Sequence, residues 1–302
     1  MDIRQLEALV GIADHGTFSR AADALGTVQS NISTRIARLE AELATELVDR
    51  ATGKLTESGD VVVGRARRIL GELRAIAADV SELRADIRGD VNLGMIGTAG
   101  RWIVPLLLDA QRGSFPGVAL RISEGTNSAL EPRVVNGQLD LAVLAWPAAA
   151  PELIESDLFS EDLVLIVERT HPLASQRTVT FEELATLPLL LPLTGTPLRR
   201  EIDEAAARGG VTLQPIVELD GLRTIASLTF DGYGPAILPA TMLSSHLRST
   251  FTSVHIEGIA LRRVSLATRR FGFPAAPVRA VQRLLHDVVR TATAPDGVYI
   301  PS

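Results

Sequence analysis

The sequence predicts an α/β protein with an N-terminal helix-turn-helix, a long linker helix and a two-lobed α/β region. Three observations predict it. Two short amphipathic helical patterns, separated by a tight break, lie within "GTFSRAADALGTVQSNISTRIARLEAEL" at 16–43. A proline-free apolar stripe runs through 58–88. From residue 89 onward strand and helix patterns alternate, which implies parallel sheets with helices on their faces.

Within 1–57, Ile3, Leu6, Leu9, Val10 and Ile12 recur at helical spacing. "HGT" breaks that pattern, and Thr17 is placed to cap a helix running from Phe18 to about Leu25. Gly26 ends it. A third helix begins near Val28 and carries Ile32, Ile36, Leu39 and Leu43 on one face, and "RATGKLT" reads as a turn or small hairpin.

The stripe at 58–88 comprises Val62, Ala66, Ile69, Leu70, Leu73, Ile76, Ala77, Val80, Leu83 and Ile87. As one helix it spans roughly 45 Å at 1.5 Å per residue. The expected partner for so long an apolar face is the same helix in a second copy of the chain, the alternative being a surface helix packed on its own domain. "RGD" at 88–90 ends it.

The remainder, 89–302, reads as two α/β lobes: lobe I at about 89–160 and 266–302, lobe II at about 161–265. The strands "VNLGMIG", "VALRISEG" and "LDLAVLAW" alternate with helices. A second set follows from "EDLVLIVER" through "LPLLLPL", "QPIVEL" and "PAILP".

Composition limits the function classes. The chain has 302 residues, 46% of them hydrophobic, and no cysteine, so disulfides, thiolate metal sites and cysteine nucleophiles are excluded. No apolar run approaches the roughly 18 residues of a membrane span, and the N-terminus is not of signal-peptide type. The expectation is a cytoplasmic protein without membrane association. The net charge of -6 confines any nucleic-acid contact to a local basic surface.

That surface is expected on the second helix of the N-terminal unit, which in a helix-turn-helix enters the major groove through its first turns. Residues 24–39 contain no acid. Gln29, Ser30, Asn31, Ser33, Thr34 and Arg35 surround the apolar Ile32 and Ile36, with Arg38 one turn further on. Gln and Asn pair bidentately with adenine, Arg with guanine or phosphate. Ser19, Thr27, Arg50 and Lys54 complete the candidate DNA-contact set.

Phe18, Ala21-Ala22, Leu25, Gln29, Ser33, Ile36, Leu39-Glu40, Leu43, Leu47, Arg50, Leu55-Thr56 and Gly59 together resemble the LysR-type transcriptional regulators. "FPGVALRISEGTNSAL…VVNGQLDLAVL", "HPLA" and "DGYGPAILP" extend the resemblance into the α/β region. The resemblance implies a winged helix-turn-helix, a dimerising linker helix and an effector domain resembling periplasmic binding proteins. Its implied partners are double-stranded promoter DNA, a small-molecule effector and further copies of the chain as dimer or tetramer; RNA polymerase is a further candidate. Asn31, Ala44 and Val48 depart from the family pattern, and the turn from Arg50 to Leu55 is shorter than the family's.

An effector is expected in the cleft between lobes, at strand-to-helix turns where backbone N–H groups and helix dipoles favour an anion. "GMIGTAGRW" offers Thr98, Ala99, Gly100, Arg101 and Trp102, with capping as the alternative role of Thr98. "EGTNS" offers Thr126 and Asn127. The second lobe offers Thr194, Gly195 and Thr196, then Leu222 and Arg223 after Asp220, a candidate cap. Arg101 and Arg223 complement a carboxylate, so a small carboxylate or other polar anion is the expected effector class. Gly94, Gly97 and Gly100 lack dinucleotide-fingerprint spacing. The five histidines show no metal spacing and no GxSxG elbow occurs, so neither catalysis nor a cofactor is expected. The competing classes are a solute-binding protein and an architectural DNA-binding protein without ligand control.

Overall fold

The computed structural model describes residues 1–82 and 87–301. Helix α1 (Ile3–His15) starts at a capping box between Asp2 and Gln5 and ends at Gly16, whose φ of 78° is left-handed. Thr17 caps α2 (Phe18–Ala24) by accepting from the Arg20 N–H at 3.2 Å. Helix α3 (Gln29–Leu43) follows from Val28, which provides no side-chain cap. Leu6, Leu9, Ile12, Ala21, Ala22, Ile32, Ile36 and Leu39 form the small core that fixes the three helices. After α3 a bridge between Val48 and Leu55 closes a minimal hairpin.

Helix α4 (Glu57–Glu82) packs its first turns on this unit through Val63 and Ala66. Gly59 permits the approach, because a Cβ there would overlap the Leu47 carbonyl. The expected stripe therefore divides. Val62 and Ala66 face the N-terminal core, whereas Ile69, Leu73, Ile76 and Val80 are exposed. Leu83 of that stripe lies outside the described residues. Ile87 is not helical; it precedes the first strand and packs on the lobe I core.

The α/β region runs β1 (Gly89–Met95), α5 (Gly97–Ser114), β2 (Val118–Glu124), α6 (Asn127–Val135), β3 (Leu141–Ala145) and β4 (Leu153–Glu161). It continues with β5 (Leu163–Glu168), β6 (Thr178–Val179), α7 (Phe181–Leu184), β7 (Leu190–Pro192), α8 (Pro197–Arg208), β8 (Val217–Leu219), α9 (Leu222–Phe230) and β9 (Ala236–Pro239). Last come β10 (Phe251–Ile256), β11 (Arg262–Arg269), α10 (Ala276–Thr291) and β12 (Val298–Tyr299).

Among the described residues these strands form two six-stranded sheets, ordered β12-β4-β11-β3-β1-β2 and β6-β10-β5-β9-β7-β8. Both are mixed rather than purely parallel. β1 runs parallel to β2, from Gly89 opposite Val118 to Met95 opposite Glu124. β11 is antiparallel to both β3 and β4, and β5 is antiparallel to β9 and β10. The chain crosses between lobes twice, from β4 to β5 and from β10 to β11. Because β11 begins at Arg262 in the first sheet, residues 262–265 belong to lobe I rather than to lobe II. No helix among the described residues is long and apolar enough to cross a membrane.

Candidate nucleic-acid interface and effector cleft

Helix α3 buries Ile32, Ile36 and Leu39 against α1 and α2, which turns its other face outward. Gln29, Ser30, Asn31, Thr34 and Arg38 are exposed, and Ser33 and Arg35 are half-buried. Two bonds order the leading turn: the Asn31 amide donates to the Thr27 hydroxyl at 3.0 Å, and the Thr34 hydroxyl donates to the Ser30 carbonyl at 2.8 Å. Arg35, Arg38 and, in the hairpin, Lys54 form no ion pair among the described residues, so their charges face outward uncompensated. Ser19 is exposed on the neighbouring α2.

Arg50 is engaged differently. It donates to the Glu40 carboxylate at 2.6 Å, reaches Ser33 Oγ at 3.5 Å, and lies 5.6 Å from the Phe18 ring centroid. Glu40 also accepts the Leu47 N–H at 2.9 Å and the Val48 N–H at 3.2 Å. Burial alone would raise the Glu40 carboxyl; the Leu47 N–H, Arg50 and the Val48 N–H outweigh it and hold the group below the usual range. This pair joins the C-terminal half of α3 to the hairpin base. At the hairpin tip Gly53 takes φ 70° and Asp49 accepts the Ala51 and Thr52 N–H groups.

The two lobes meet along α5, α9 and the crossing segments. α5 is preceded by Ile96 as N-cap, so Thr98 is not its cap. The Thr98 hydroxyl instead accepts from Arg262 Nη1 at 3.0 Å. The same guanidinium bonds the fully buried Glu161 at 2.8 Å, and Glu161 accepts the Thr241 hydroxyl at 2.7 Å and its N–H at 3.1 Å. This network sits at both crossings. Glu201 on α8 lies within reach of its charge: desolvation raises the Glu201 carboxyl, Arg262 acts against that, and Glu204 adds to it.

On the adjoining edge Arg223 of α9 is ion-paired with Glu124 at the end of β2, which links lobe II to lobe I. The Glu124 carboxylate also lies against Gly97 at the start of α5, where any Cβ would overlap it. Arg101 donates to Ser244 Oγ at 3.1 Å and lies 5.7 Å from the Phe230 ring centroid. Arg101 and Arg223 therefore both lie along this junction.

Other expected effector residues are held by their own lobes. Trp102 packs edge-on against Phe159, with centroids 5.1 Å apart. Ala99 is fully buried, and Gly100 lies over Met95. The Asn127 amide exchanges two bonds with Ala145, at 2.6 and 3.0 Å, and Thr126 bonds Ser128. Thr194 donates to Glu218 at 2.8 Å, Gly195 takes φ 90°, and Thr196 caps α8. Leu222 packs on both lobe cores. Asp220 is not a cap: Gly221 holds that position with φ 124° and no side-chain bond. Glu124, Glu161, Glu201 and Arg262 were not among the residues expected from sequence. Their pairings span large sequence separations, and no local spacing signals them. Among the described residues no group of three or more His, Asp or Glu is placed to hold a metal ion.

The family described as bacterial regulatory helix-turn-helix protein, lysR family, matches residues 3–60, and the LysR substrate binding domain matches 84–290. A hydrogen peroxide-inducible genes activator of Escherichia coli is 30% identical over 295 residues, covering 96% of this chain and 95% of its own. A full-length OxyR variant from Pseudomonas aeruginosa superposes with a TM-score of 0.77 at 23% identity, covering 100% of this chain and 99% of that one. The structure of CbnR with its target DNA gives 0.65 at 24% identity, covering 96% and 99%.

Proposed function

Since the chain belongs to the LysR family of DNA-binding transcriptional regulators, we propose that the leading turns of α3 read its operator and that a small anion in the interlobe cleft controls it. The observation that carries the DNA reading is the outward face of α3. Exposed Gln29, Ser30 and Asn31 stand beside Arg35 and Arg38, which form no ion pair among the described residues, with no acid between residues 24 and 39. Gln29 and Asn31 serve adenine edges, and Arg35 and Arg38 serve guanine or phosphate. Lys54 in the hairpin and Ser19 on α2 add backbone contacts, and Arg50 acts by holding the hairpin to α3. Footprinting of the full-length protein on DNA upstream of its own gene tests this. A protected two-fold site is expected, and an unprotected fragment at low salt contradicts it.

Few phosphates are neutralised by one copy of a chain whose net charge is -6, so paired copies are needed for useful affinity. The exposed Ile69, Leu73, Ile76 and Val80 recur at four- and three-residue spacing along α4 and support pairing through that helix. The cytoplasm, where the DNA lies, is the compartment this reading requires.

For the effector, the proposal remains a small carboxylate or other polar anion. Glu124 rests against the first residue of α5 and holds Arg223, as an external carboxylate would. Both side chains are about half exposed, so the pair is cheap to replace. A ligand carboxylate that takes the place of Glu124 against Gly97 and Arg223 undoes one tie between the lobes. The buried Thr98, next to Gly97 in sequence and bonded to Arg262, carries the change to the crossings. Effector and operator then alter each other's affinity reciprocally. The Escherichia coli relative is named for induction by hydrogen peroxide. These 302 residues contain no cysteine, so cysteine oxidation cannot be this chain's signal. Operator affinity is expected to respond to small carboxylates and to be indifferent to hydrogen peroxide.

A further inference from the structure

A cavity of about 330 Å³ lies where the N-terminal unit, the linker helix and lobe I meet, away from the interlobe cleft. Val10 and Asp14 of α1, Arg67, Leu70 and Arg74 of α4, Asn92 of β1, Arg133 of α6, and Gly137 and Gln138 of the following turn line it. Its charge is unbalanced: three guanidinium groups face one carboxylate. Arg67, with only 7% of its side chain exposed, pairs with Asp14. The Gln138 carboxamide oxygen accepts from Arg67 Nη1 at 2.7 Å and Nη2 at 3.3 Å, yet the buried Nε has no partner. Burial depresses the Arg67 pKa, and the Asp14 charge only partly offsets it, so Arg67 is under-compensated. Arg133 reaches only a hydroxyl, that of Ser123 at 3.2 Å. Arg74, two turns beyond Arg67 on the same face of α4, forms no hydrogen bond or ion pair among the described residues.

We infer that this junction cavity binds a small oxyanion of phosphate or carboxylate type between Arg74 and Arg133. Guanidinium groups are matched to planar or tetrahedral oxyanions, which they bind bidentately. The polar wall and the surplus of positive charge disfavour apolar ligands and cations. The volume falls at the lower end of small-ligand sites. Asn92, whose side-chain amide donates to Asp140 at 3.3 Å, and Gln138, which is bonded to Arg67, complete the lining. The bound ion would join α4 to α6 beside α1, and so connect the DNA-binding unit to lobe I at a point the cleft does not touch.

The inference stands independently of the cleft reading. Isothermal titration of the full-length protein, at constant ionic strength and without DNA, uses inorganic phosphate in one arm and citrate in the other. Saturable binding of at least one of them is expected, with a Kd in the millimolar range or tighter. An Arg74→Gln/Arg133→Gln double variant, checked for unchanged thermal unfolding, is expected to bind about ten-fold more weakly or worse. Arg112→Gln, at an exposed arginine of α5 outside both sites, is expected to leave this affinity unchanged. No saturable binding in either arm, equal binding by the double variant, or the same loss of binding in Arg112→Gln would each overturn the inference.

Discussion

Arg223 in lobe II is ion-paired with Glu124 in lobe I, and the Glu124 carboxylate also covers Gly97 at the start of α5. One acidic side chain thus occupies the position proposed for an anionic effector. With side-chain exposures of 65% and 46%, the pair contributes at most about 1 kcal/mol to stability. Glu124→Gln is accordingly expected to leave the unfolding temperature almost unchanged. It should strengthen binding of an activating carboxylate by up to about ten-fold, because the competing internal charge is gone. Calorimetric titration checks this; weaker binding in the variant would place the effector elsewhere.

Glu40 is the acid-sensitive joint of the DNA-binding unit. Its carboxyl is held below the 4.5 of an unperturbed glutamate, so the folded state favours the carboxylate. The resulting stability is complete above the unperturbed value and is lost as pH falls through the depressed one. Glu40→Gln is expected to cost about 2 kcal/mol at neutral pH, because it weakens the bonds to Arg50, Leu47 and Val48. The same variant should flatten the acid limb of a stability-versus-pH curve. Chemical denaturation across pH measures both effects.

The proposed pairing through α4 rests on an exposed apolar row. Ile76 is 62% exposed and Val80 51% in the single chain. Burying each side chain fully is worth about 1.5–3 kcal/mol. An Ile76→Glu/Val80→Glu variant should weaken self-association by about a hundred-fold or more while leaving the monomer folded, as sedimentation equilibrium would reveal.

Arg38 forms no ion pair among the described residues and sits two turns beyond Asn31 on α3. As a phosphate contact, its replacement in Arg38→Ala should weaken binding to all DNA sequences alike and lower the salt slope by about 1. A change in base preference instead would make Arg38 a base contact.

The N-terminal unit was legible in the sequence because its determinants are local. Gly16, Thr17 and the Ile32/Ile36/Leu39 spacing define the helices within a few residues of where they act. The crossing strands were less legible. β4, "LIESDLFSE", mixes polar and apolar positions without clean alternation, and β10 is short. Their antiparallel pairing makes both sheets mixed. The cleft was least legible of all. Thr98 and Arg262 are 164 residues apart, and Glu124 and Arg223 are 99 apart, so only the fold brings these side chains together. Arg223 and Thr98 could be singled out as chemistry at strand-to-helix turns, but their charged partners could not.

The exposed start of α3 is the surface proposed to read bases. Fluorescence anisotropy of the full-length protein and a Gln29→Ala/Asn31→Ala variant, on the native upstream fragment and on a scrambled one, separates base reading from general DNA affinity. Each lost base contact is worth about 1–3 kcal/mol of discrimination, so the native-to-scrambled affinity ratio should fall at least about ten-fold while scrambled binding stays constant. An unchanged ratio in a folded variant would contradict the account.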